Sequence, residues 1–143
     1  MQVEVFLSDS VQAADGKLHA LGIGWRVIQA SAFPARHDRI GLGLIVRTAP
    51  AEAGQHTLTI SLLGPDGAPR PFGEGTAFEA RFATPDGEGT ATLALNLDGL
   101  IFEAEGDYVF VLGIDGREVR REAFRVQTRP EPPASEFRTG VYL

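Results

Sequence analysis

At 143 residues the chain has the length of one ordinary domain, and a domain of that size buries roughly 68–70% of its unfolded surface without needing staples. It contains no Cys, which excludes a thiol nucleophile, a zinc–thiolate site and an iron–sulfur cluster, and which suits a cytoplasmic location. The net charge of −6 predicts no nucleic-acid partner, because nonspecific binding to a polyanion draws on a basic footprint, and no run approaches the ~20 apolar residues of a membrane span.

The N-terminus reads as a first strand, Gln2 to Leu7, with Val3, Val5 and Leu7 on one face, and not as a signal peptide. A loop is expected from Ser8 to Gly16. A second extended run, Lys17 to Gln29, puts Leu21, Ile23, Trp25 and Val27 on one face. Gly22 and Gly24 lie on the other, where two glycines signal a bend or a close approach. Ser31 to Arg39 reads as a loop, and Ile40 to Val46 as a strand. Thr57 to Leu62 alternates cleanly, with Leu58, Ile60 and Leu62 inward. Gly64 to Gly75 is a loop rich in Gly and Pro. Thr76 to Ala83 and Ala91 to Leu97 alternate again. Asp107 to Ile114 is apolar on both faces, as a central strand is. Arg117 to Gln127 breaks parity, and a β-bulge near Arg120 to Glu122 restores it.

Five Asp-Gly pairs punctuate these runs: Asp15-Gly16, Asp66-Gly67, Asp86-Gly87, Asp98-Gly99 and Asp115-Gly116. Both residues tolerate positive φ, which tight hairpin turns require, so all five are expected to be turns. No segment carries a sustained helical period. The prediction is an all-β fold, an immunoglobulin-like or similar Greek-key antiparallel β-sandwich of about eight strands over residues 1–127. A Pro-rich C-terminal arm follows over 128–143. The expected core contains Trp25, Leu58, Ile60, Phe78, Phe82, Leu93, Leu95, Tyr108 and Phe110.

The chain resembles an uncharacterised family of small bacterial β-sandwich proteins. The residues that carry the likeness are Leu7-Ser-Asp9, Asp15-Gly16-Lys17-Leu18 leading to Leu21-Gly22, and Phe33-Pro34-Ala35-Arg36-His37. Further along they are Glu52-Ala-Gly54-Gln-His56-Thr-Leu58 and Gly106-Asp-Tyr108-Val-Phe110. The resemblance implies a β-sandwich and supplies no catalytic residue.

Chemistry-bearing residues are sparse. His19, His37 and His56 lie in separate segments without metal-ligand spacing, and His19 and His56 read as solvent-facing strand positions. The aspartates stand singly beside glycines and lack the acidic run of a calcium loop. Ser8, Ser10, Ser31, Ser61 and Ser135 fall outside nucleophile motifs, and Glu103, Glu105 and Asp107 read as an exposed acidic loop. No cofactor, no metal and no catalytic residue is expected.

The leading expectation is a protein-interaction or structural module, not an enzyme, that binds a protein partner or self-associates through a strand edge and the C-terminal arm. The partner-binding candidates are Arg36 and His37 in a polar cluster, and Phe137, Val141, Tyr142 and Leu143 at the end of the arm. The alternatives are a small-ligand or carbohydrate-binding module, and a hydrolase assembled from distant loops.

Overall fold

The computed structural model describes residues 1–87 and 89–129, and its regular structure is all β apart from one short 3-10 turn. Ten strands follow in order: β1 (Gln2–Ser8), β2 (Ser10–Ala14), β3 (Lys17–Leu21), β4 (Val27–Ala30) and β5 (Ala35–Thr48), then, after the turn Pro50–Glu52, β6 (Gly54–Leu63), β7 (Ala77–Thr84), β8 (Gly89–Phe102), β9 (Gly106–Ile114) and β10 (Arg117–Thr128). A sheet ordered β1-β5-β8 faces a sheet ordered β4-β10-β9-β6-β7 across one core. The pairs are antiparallel except β4, which runs parallel to β10.

The alternating runs bury the faces their parity dictates. Ile40, Leu42, Leu44 and Val46 of β5 meet Leu58, Ile60 and Leu62 of β6, all essentially without exposure. Tyr108, Phe110 and Leu112 of β9 join Phe124 and Val126 of β10. Phe124 lies at the centre of an aromatic cluster, 5.2 Å from Phe110 and 5.8 Å from both Tyr108 and Phe102 between ring centroids. β9 is the central strand its two-sided apolar pattern predicts. Of the expected core, Leu58, Ile60, Tyr108 and Phe110 are buried. Trp25, Phe78, Phe82, Leu93 and Leu95 are only half-buried against it, the last four because β7 and β8 are sheet edges.

Several expectations are corrected. The stretch read as a loop at Ser8 to Gly16 contains β2, which pairs with β3 through the Asp15-Gly16 turn. The hairpin lies across the outer face of β5, where Gly43 leaves room for Val11 and Leu18. Asn96 of β8 holds it there, donating to the Val11 carbonyl at 2.9 Å and accepting from the Val11 N–H at 3.0 Å. The run Lys17 to Gln29 is broken at Gly22 and Gly24, whose φ values of 69° and 100° are left-handed. After that bend Ile28 and Ala30 point inward, while Leu21, Ile23 and Val27, placed on one face with Trp25 by their parity, are 73%, 57% and 43% exposed. The loop expected to Arg39 ends earlier, so Arg36 and His37 sit on β5 opposite Ile101 and Leu100.

Asp15-Gly16 and Asp115-Gly116 have positive φ at both residues and close hairpins, as that geometry requires. Asp98-Gly99 does not turn. It lies inside β8, with Arg39 opposite Asp98 and the register unbroken on either side. The bulge in β10 falls between Glu118 and Arg120, beside the expected stretch, and turns Glu122, Phe124 and Val126 inward.

Candidate interaction surface

The bend at Gly22 and Gly24 delivers Trp25 and β4 to the rim of the sandwich. The Arg26 carbonyl accepts from the Arg125 N–H at 2.8 Å, β4 then pairs with Arg125–Thr128, and the Arg129 N–H donates to the Ala30 carbonyl at 2.7 Å. One edge of β4 is thereby spent on β10, and the other is unpaired among the described residues.

Two adjoining grooves of 340 and 560 Å³ run along this free edge, both bordered by Ile28, Gln29, His37 and Arg129. Arg36 and Phe102 line the first, and Ile23, Trp25 and Val27 line the second. Two of the expected partner-binding residues, Arg36 and His37, are therefore brought to one surface. The other four, Phe137, Val141, Tyr142 and Leu143, lie outside the described residues, as does Ser135 and the arm beyond Arg129.

Trp25 packs edge-on against Phe124 at 6.0 Å and faces His37 at 6.5 Å. Its indole N–H is buried and has no partner among the described residues. An orphaned buried donor costs about 1–3 kcal/mol. Arg36 reaches Asp38 at 3.1 Å, but both side chains are exposed and the pair contributes little. Arg26 and Arg120 both donate to the buried carboxylate of Glu122, at 2.9 and 3.1 Å, which fixes the chain entering β4.

A second polar cluster lies on β6. His56, read as solvent-facing, has a side chain only 9% exposed. Its Nδ1 is 2.7 Å from Asp115 Oδ2 and its Nε2 is 2.7 Å from the Glu52 carbonyl. Both partners are acceptors, with the Thr84 hydroxyl also 3.4 Å from Nε2, an arrangement that favours the ring in its protonated form. The Asp115 carboxylate, with the Glu52 carbonyl behind it, raises the His56 pKa against the opposing effect of burial. Asp115 is held below the ordinary carboxylate range by His56 and by the Thr57 N–H at 2.9 Å.

The remaining candidates do not converge. His19 is exposed on β3, and His37 and His56 stand on different strands. Among the described residues no group of three or more His, Asp or Glu is placed to hold a metal ion. Ser8 is buried and donates to the carbonyls of Ser10 and Gly41, both at 3.2 Å. Asp66 accepts from the Ala68 N–H and pairs with Arg70, which together lower its pKa. Glu105 accepts from the Thr128 N–H and Asp107 pairs with Arg125, each doing a separate structural task. No helix among the described residues is long and apolar enough to cross a membrane. Ile23, Val27 and Arg129 were not foreseen as surface residues. The two glycines before Trp25 were the available signal, since a bend there inverts the parity of the residues beyond it.

No curated protein matches the chain. Among solved structures it is similar to the Pseudomonas fluorescens alkylpurine DNA glycosylase AlkC bound to DNA containing an abasic site analog. Identity is 14%, the TM-score is 0.46, and the match covers 87% of this chain and 31% of that one. The chain thus spans about a third of the length of the structure it matches, and a likeness of this degree carries no activity across. The expectation of no nucleic-acid partner is not upheld, since this neighbour is a DNA-bound protein; the bound DNA is a property of that protein and gives this chain no nucleic-acid role. Net charge is a sum over the whole surface and says nothing of where charges gather. β10 carries Arg117, Arg120, Arg121 and Arg125, of which the last three are paired with Glu122, Glu118 and Asp107. A family model described as a family of unknown function, DUF6941, matches residues 4–127, most of the chain, and the protein belongs to that family.

Proposed function

We propose that the protein is a non-enzymatic interaction module that docks an extended segment of a protein partner along the free edge of β4. The carrying observation is the buried, unpartnered indole N–H of Trp25 beside that edge. A strand added at β4 brings a row of backbone carbonyls, which is what both an open edge and an orphaned donor lack. The exposed Ile23 and Val27 supply apolar contact, and Arg36 and His37 supply the polar rim. In this reading the immunoglobulin-like sandwich is a rigid scaffold for the edge, and the absence of Cys favours work in the cytoplasm.

The test is photocrosslinking in cells, with the photoreactive residue at Val27 and, as a control, at Gln12 on the distant hairpin. The expected result is one protein adduct from position 27 that is absent at position 12 and weakened by Trp25→Phe, which keeps a ring and removes the N–H. An adduct only to the chain's own residues 130–143, an adduct to nucleic acid, or no adduct at all would overturn the proposal.

A further inference from the structure

β8 is, with β5, one of the two longest strands in the fold, and it forms an edge of its sheet. It pairs with β5 on one side and is unpaired on the other among the described residues. Edges are ordinarily guarded by charge, proline or shortness. The outer strands β7 and β1 follow that rule: β7 carries Glu79 and Arg81, and β1 carries Glu4 paired with Arg47. β8 does not follow it. From Gly89 to Leu97 it has no charged residue and no proline. The next residue, Asp98, is already neutralised by Arg39, with contacts of 2.6 and 3.0 Å. The inward row Ala91, Leu93, Leu95 and Leu97 packs on the core yet is only half-buried, because nothing described continues the sheet past it.

We propose that β8 is the seam of a homodimer, in which the edge pairs antiparallel with the same edge of a second copy. A two-fold axis at Ala94 makes the strand complementary to itself. Leu93 then faces the partner's Leu95, and Ala91 faces the partner's Leu97, so the half-covered row doubles into one apolar band. On the other face Thr92 lies opposite the partner's Asn96, whose amide stays on Val11, and Thr90 offers its hydroxyl to the partner's Asp98. No like charges oppose each other, which is the usual penalty in pairing a strand with itself. The β2–β3 hairpin lies over the sheet face, bound to Asn96 through Val11, and forms no strand pairing with β8. The two sheets join into one, running β1-β5-β8 into β8-β5-β1, and β4 stays free on the opposing sheet. The seam is independent of any docking at β4.

The chain's lack of Cys makes the test clean. Light scattering of the full chain is expected to give about twice its mass of 15.3 kDa. In Ala94→Cys, oxidation is expected to yield a covalent dimer, since residues directly opposite in an antiparallel pair have Cβ atoms about 4.5–5.5 Å apart. Ala83→Cys on the β7 edge is expected to stay uncrosslinked. Thr92→Lys, with its folding checked by circular dichroism, is expected to be a monomer. A monomeric native chain, a folded Thr92→Lys dimer, or crosslinking at position 83 and not at 94 would each overturn the seam.

Discussion

Replacing His56 by Gln should produce a stability loss that depends on pH in a defined direction. The imidazolium bridges three places in the chain: the Pro50–Glu52 turn through the Glu52 carbonyl, β6 itself, and the β9–β10 hairpin through Asp115. The charged groups facing it are Asp115 and Glu52, and Glu52 is in turn engaged by the Met1 amino group at 2.9 Å and the Ala49 N–H. Hydrogen bonds involving a charged group are worth about 1.5–3 kcal/mol each, and half-exposure of Asp115 screens one of the two, so a net loss of about 1–2 kcal/mol is expected near pH 6. Because the folded-state pKa of His56 is raised, its contribution is complete below the unfolded value of about 6.5 and disappears as pH climbs through the folded value. Asp115 and Glu52 are shifted down. Their contribution is present above unfolded values of about 3.9 and 4.3, and it is lost as pH falls through the folded ones. The gap between the native chain and His56→Gln should therefore peak in mildly acidic solution and narrow on both sides. Urea unfolding at a series of pH values measures it, with the slope m checked for constancy. A gap that stays flat from about pH 6 to about pH 9 would show that the ring is not held as a cation and would refute the argument.

Two further substitutions probe the packing. Phe110→Ala removes a fully buried ring stacked on Phe124 and should cost about 3–5 kcal/mol in chemical unfolding, whereas a loss below about 1 kcal/mol would contradict its central place in the aromatic cluster. Gly41→Ala points a methyl into the buried Ser8 hydroxyl and to 3.0 Å from the Ser10 carbonyl carbon, so a loss of about 1–3 kcal/mol is expected, and an unchanged melting temperature would show that the β1–β2 corner yields freely.

Much of the sandwich was legible because the strands through its middle have one wet face and one dry one. Leu58, Ile60 and Leu62 alternate with Thr and Ser, and β9, flanked by β10 and β6, is apolar from Tyr108 to Leu112, with Tyr108, Phe110 and Leu112 buried and Val109 and Val111 half-buried. What escaped was set by contacts distant in sequence. β2 has one buried apolar side chain, Val11, and owes its place to Asn96 and to the bare surface at Gly43. Asp98-Gly99 has the composition of a turn, yet Arg39 across the sheet draws Asp98 into a continuous strand. The outward turn of Ile23 and Val27 follows from two left-handed glycines, whose φ a parity count takes as extended. His56 looked like an exposed strand residue because its two acceptors belong to a turn and to a hairpin tip that no local pattern connects.

The parallel pairing of β4 with β10 has a consequence for how the chain is made. Val27 finds its partner in Arg125, so about two thirds of the polypeptide separates two adjacent strands. On a ribosome β1, β5 and β8 can meet as they emerge, and β6 can fold against β7, but β4 has nothing to pair with until the last strand has left the exit tunnel. A chain stalled before β10 exposes Ile28 and Ala30 on a strand whose one neighbour is not yet in place. Closure of the larger sheet thus waits on β10, the last strand among the described residues, and a chain stalled before it leaves β4 unpaired on both edges.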